Sequence, residues 1–147
     1  MSLALRAALR AAVVAAGVSL LVMATPLRAQ DPRTSAAVAA SGTWLALVDK
    51  GDLEASHASA GKRFRDAVSV PAWKASLAQA RDPRGALVQR SVLSSRFETK
   101  PGGDGKGTGD IAILVYRTSF TRQTDTRETV TLESEAGGWR VIGYSIL

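Results

Sequence analysis

The last 23 residues, DTRETVTLESEAGGWRVIGYSIL (125–147), constrain the fold more than any other stretch. Val130 and Leu132 alternate with Thr129, Thr131 and Glu133. After Ala136, Gly137 and Gly138 come Val141, Ile142, Tyr144 and Ile146. Two runs of strand chemistry around a glycine turn predict a β-hairpin with one covered face. The chain closes on an apolar strand, and such an end is normally tied into a sheet. Trp139 and Tyr144 are five positions apart. On a regular strand they face opposite sides, so they share a face only across a bulge.

The other end of the chain has a different character. Arg6 and Arg10 precede an unbroken run of small and apolar residues, Ala11 to Met23, and Pro26-Leu27-Arg28-Ala29 follows. This is the order of a Sec-type secretory signal peptide, with a cut expected after Ala29. The run is well short of the roughly 20 residues that a spanning helix needs. The membrane is therefore met only through this segment, before cleavage. The expected destination is the periplasm or the outside of the cell. Removing the first 29 of 147 residues leaves 118, the size of one domain over 30–147. Arg6, Arg10 and Arg28 leave with the leader, taking the formal charge from +6 to +3. The remaining basic residues are scattered, so the clustering that nucleic acid requires is missing. With no cysteine in the chain, the exported fold stands on its core alone.

Along the mature chain, helices come first. Thr34 or Ser35 can cap a helix whose face carries Ala37, Ala40, Trp44 and Val48. Gly51 has the place of a helix-ending glycine, and Asp52 caps a second helix over 53–60. Gly61 interrupts, and Lys62 to Val68 continues for a turn or two with Phe64 and Val68 paired. Ser69 caps a further helix with Pro71 in its first turn and a stripe of Trp73, Leu77 and Ala80. From Gly85 the pattern changes to strands: 86–99, with a bend at Ser94-Ser95, and 110–121 around IAILVY. Between them PGGDGKGTG (101–109) reads as a loop that holds neither helix nor strand. Helices followed by strands predict an α+β fold, a four-stranded antiparallel meander covered on one side.

Three segments carry a resemblance: TWLALVDKGDLEAS (43–56), FRDAVSVPAWKASLAQARDPRGALVQR (64–90) and ETVTLESEAGGWRVIGYSI (128–146). In their order, and in the closing GGWRVIGY, the chain resembles an uncharacterised bacterial family of small secreted proteins with a domain of unknown function. That family is similar to the nuclear-transport-factor-like and cystatin-like folds. The resemblance implies a curved sheet around N-terminal helices, with room for a pocket. It implies no activity, because that scaffold hosts enzymes, ligand binders and assembly domains alike.

Candidate chemistry is sparse. His57 is the single histidine. As an acid or base it would need an orienting carboxylate, Asp52 or Asp66. Without a second histidine or a cysteine, no metal site is expected, and no cofactor motif is present. Gly105-Lys106-Gly107-Thr108 fails the phosphate-loop pattern, which needs Ser or Thr directly after the lysine. Glu133 and Glu135 read as solvated, and Asp49 and Asp52 as helix-ending and capping residues. The aromatics stand on different elements. Trp44, Trp73, Tyr116, Trp139 and Tyr144 either fill the core or line a pocket, with Arg90 or Arg140 as a polar handle.

Three readings stay open from the sequence. The first is a non-enzymatic binding or interaction module for a small molecule or an envelope protein. The second is a small enzyme of the curved-sheet type using His57 with an aspartate. The third is a homodimerising assembly domain of the cell envelope.

Overall fold

The computed structural model describes residues 31–101 and 108–147. The expected signal peptide and residues 102–107 of the glycine-rich segment lie outside the described residues. Four helices come first: α1 (Pro32–Lys50), α2 (Leu53–Ser59), α3 (Lys62–Ala67) and α4 (Val70–Arg81). Four strands follow: β1 (Leu87–Pro101), β2 (Thr108–Phe120), β3 (Thr126–Glu135) and β4 (Gly138–Ile146). They form one antiparallel sheet in the order β1-β2-β3-β4. The α+β meander covered on one side by helices is what the sequence pattern predicts.

Local chemistry sets the helix ends. Gly51 adopts φ 75, its N–H reaches the Val48 carbonyl at 3.1 Å, and the Asp52 N–H reaches Leu47 at 2.9 Å. This pair of bonds is a Schellman ending, which only a left-handed residue completes without strain. The Asp52 carboxylate accepts from the Ala55 N–H, and the Ser69 hydroxyl from the Ala72 N–H. The start of α1 differs from the expected Thr34 or Ser35 cap. Asp31 caps it, accepting from the Arg33 N–H at 3.0 Å, with Pro32 in the first position. Proline is favoured there because its missing N–H would be unpaired anyway.

The loop expected over 101–109 is also shorter than its composition suggested. The β1–β2 ladder runs out to Pro101 opposite Thr108. Cross-strand bonds override the low strand propensity of proline and glycine at a hairpin end.

The core lies between helices and sheet. Trp44, Leu45 and Val48 of α1, and Trp73 and Leu77 of α4, meet Ala112, Leu114, Val130, Leu132 and Val141. Ala80, expected in the stripe of α4, is half-buried. On β4 the register slips: Leu132 pairs with Val141 but Thr131 with Gly143, leaving Ile142 unpaired. That extra residue is a β-bulge, and it restores Trp139 and Tyr144 to one face. Both pack against the core.

The outer edge of β4 is covered. The Gly61 N–H bonds to the Val141 carbonyl at 2.7 Å, and the next amide, Lys62 N–H, to the Glu135 carboxylate at 2.9 Å. A Cβ at position 61 would lie 2.7 Å from Glu135 Oε1 and 2.8 Å from Ile142 Cγ2, so the close approach needs glycine.

Candidate functional site

Six polar side chains from six elements converge at one end of the sheet. Glu128 sits on the helix-facing side of β3, in line with Thr126, Val130 and Leu132, and is fully enclosed. Oε1 accepts from Arg81 Nη2 at 2.8 Å, Arg90 Nη2 at 3.1 Å and Tyr144 OH at 2.5 Å. Oε2 accepts from Arg90 Nε at 2.5 Å and Thr118 Oγ1 at 2.6 Å. Asp49, in the last turn of α1, binds the same two arginines from the other side. Its oxygens lie 2.6 Å from Arg81 Nη1 and 2.7 and 3.0 Å from Arg90. Two arginines and two carboxylates thus alternate in a closed, neutral ring. Burying ions costs several kcal/mol each, and only such complete pairing offsets it.

The electrostatics follow from this pairing. Burial pushes the Glu128 carboxyl up, but hydrogen bonds and charge from Arg90, with Thr118 and Tyr144, hold it below its ordinary value. Asp49 behaves alike: burial raises it, and Arg90 and Arg81 bring it below its ordinary value. Burial and the Glu128 charge drive the Tyr144 phenol upward. The Tyr144 hydroxyl also accepts from Arg81 Nε at 3.1 Å. Glu128 is therefore held in its ionised form as a counter-ion, with both oxygens engaged from within.

The Tyr144 ring belongs to an aromatic cluster. Trp44 and Trp73 lie 5.6 and 5.9 Å from it, and Phe64 stands edge-on to Trp73 at 5.3 Å. Both indoles bond to one buried residue, Ser56. Trp44 Nε1 donates to its carbonyl at 2.7 Å and Trp73 Nε1 to its hydroxyl at 2.9 Å. Tyr116 donates to the Ser41 hydroxyl, since that hydroxyl's own proton goes to the Val38 carbonyl.

Of the seven aromatics and arginines singled out in the sequence, four meet: Trp44, Trp73, Tyr144 and, through Glu128, Arg90. Tyr116 is buried beside Ser41. Trp139 stands apart, 5.8 Å from Phe97. His57 points elsewhere. Its Nε2 lies 2.6 Å from the Val68 carbonyl, an atom that only accepts, so Nε2 carries the proton. Its ring lies against Phe64 at 5.9 Å. Among the described residues, no group of three or more His, Asp or Glu side chains could hold a metal ion.

Two clefts open beside these clusters. The larger, about 540 Å³, lies between the ends of α1 and α4 and the start of β1. Val48, Leu53 and Leu77 give it an apolar floor. Asp49 and Arg81 carry the buried ring to its wall, and Lys50 and Arg122 stand on its border. The smaller, about 390 Å³, runs between α1 and the β3–β4 turn and is lined by Trp44, Trp139 and Arg140. None of the seven singled-out residues lines the larger cleft. Its lining comes from the ends of α1 and α4, the start of α2, the segment leading into β1 and the β2–β3 turn, whose meeting no periodicity signals.

Residues 40–144 match the family described as a protein of unknown function, DUF4019. The chain belongs to that family. No curated protein and no solved structure matches the chain. In this DUF4019 member the matched segment contains Asp49, Arg81, Arg90, Thr118, Glu128 and Tyr144. The whole buried ring thus lies within the family's own domain, as do the lining residues of the larger cleft.

Proposed function

We propose that this DUF4019 member is an exported, non-enzymatic binding module. It takes a small amphipathic molecule, apolar at one end and anionic at the other, in the larger cleft. The carrying observation is the cleft's make-up. Its volume falls in the range of ligand sites, and it joins an apolar floor to a few convergent polar groups. Asp49 and Arg81 are neutralised by each other and by the ring behind them. Lys50 and Arg122 form no ion pair with the described residues, against one exposed carboxylate, Asp82. That leaves an excess of positive charge on the border. Lys50 and Arg81 also offset the negative ends of α1 and α4. Layered helices on a meander are shared with the nuclear-transport-factor-like and cystatin-like scaffolds, and an open cleft at the helix ends suits that comparison.

Export rests on the leader. A cut after Ala29 would leave Gln30 and the helix cap Asp31 in place, so the described fold would survive it whole. N-terminal sequencing of the periplasmic protein should begin at Gln30.

The binding reading is tested with three probes of one chain length: decanoate, decanol and decylamine, titrated below their micelle concentrations. Decanoate should raise the melting temperature most. Arg122→Glu and Lys50→Glu should abolish that preference and favour decylamine. No shift with any probe, or a decanoate effect indifferent to both charge reversals, would overturn the reading.

A further inference from the structure

A four-stranded sheet has two outer edges, and this one treats them differently. The β4 edge is occupied by Gly61 and Lys62 and by α3 beyond them. Among the described residues, the β1 edge has no strand beside it. Among the described residues, and apart from Leu147, the large exposed apolar residues all stand on β1: Val88 at 63%, Val92 at 43% and Leu93 at 47%. Open edges normally carry devices against pairing. Here register shifts at Val88 and at Leu93 break the strand. Beyond Leu93, however, β1 pairs with β2 without interruption from Ser94 to Pro101. That leaves a regular edge that none of the described strands pairs with.

We infer that this edge pairs antiparallel with the same edge of a second copy, about a two-fold axis through Phe97. The charge pattern selects both partner and register. Arg96 and Glu98 flank Phe97, are 70% and 40% exposed, and pair with each other along the strand at 2.9 Å. Turned about Phe97, Arg96 of one copy faces Glu98 of the other, twice over. Ser95 then faces Thr99, and Phe97 faces its own counterpart. Sliding the pairing by two residues puts Arg96 against Arg96 one way and Glu98 against Glu98 the other. Like charges directly opposite are unfavourable, so the neighbouring registers are disfavoured. The regular edge that can pair runs from Ser94 and ends at Pro101. Proline has no N–H to extend the ladder further. The helix layers of both copies fall on the same side of a continuous eight-stranded sheet.

The experiment is sedimentation velocity over a concentration series on the purified protein, with circular dichroism as the control for folding. The unmodified chain should show a monomer–dimer equilibrium. Arg96→Glu sets two glutamates against each other at both contacts and should raise the dissociation constant about tenfold. Glu98→Arg should do the same. The doubly exchanged R96E/E98R protein should recover the original constant. A folded monomer at every concentration overturns the inference. So does a dimer indifferent to Arg96→Glu, or a double exchange no better than either single change.

Discussion

Arg90 reaches across an entire strand to hold Glu128. The arginine is on β1 and the glutamate on β3, with β2 between them, and Nε to Oε2 measures 2.5 Å. Removing one member leaves an enclosed charge short of partners. Arg90→Met should therefore cost about 3–5 kcal/mol. R90M/E128L removes one charge of each sign and leaves Arg81 paired with Asp49. Its cost in urea unfolding should fall well below the sum of the two single changes. An additive double mutant would mean that the pair is not coupled.

The two tyrosines of the chain should titrate late. Burial raises both Tyr116 and Tyr144 above the ordinary 10.0. The native state then keeps protons that the unfolded chain gives up, so stability is level below pH 10 and falls as pH rises beyond it. Tyrosinate absorbance should be nearly silent just above pH 10 and appear on adding urea. Asp49 and Glu128 act with the opposite sign. Their folded values lie below the ordinary 3.8 and 4.5, so their contribution is present above those values and lost as pH falls through the lowered ones.

Two glycines should fail for different reasons. Gly61→Ala meets Glu135 and Ile142 head-on although its φ of −63 suits any residue. It should cost about 1–3 kcal/mol through overpacking and loosen the contact with β4. At Gly51 the space is open but φ is 75. Alanine there should cost about 1–2 kcal/mol from backbone strain alone. Hydrogen exchange at the Gly61 and Lys62 amides separates the two, since only the first substitution should speed it.

Ser56→Ala should cost about 1–3 kcal/mol, because it leaves the Trp73 indole N–H buried without an acceptor. The Trp44 bond goes to the backbone of residue 56 and should survive. Tryptophan fluorescence should therefore shift only in part, and a Trp73→Phe background should remove most of the penalty.

What could be read in advance was local. The caps at Asp52 and Ser69, the ending at Gly51 and the closing hairpin depend on neighbours in the chain. The ring depends on residues up to 79 positions apart, Asp49 to Glu128, each plausible alone as a surface residue. One signal was present: Glu128 has the same parity as Val130 and Leu132, so the alternation placed a charge on the covered side of β3. A buried charge demands a partner, and Arg90 was among the residues in view. The bulge at Ile142 leaves no mark in composition, because a register slip is decided by pairing.

The bond from Gly61 to Val141 closes one margin of the sheet within the monomer. Lateral growth therefore has a single direction. A chain with two open margins could add copies without limit, as fibre-forming strands do. Here one pairing event would use up the free margin of both molecules, and the assembly would terminate itself at two. Cutting the Gly61 contact would do more than loosen a turn: it would give each molecule a second adhesive side and turn a finite pair into a polymerising unit.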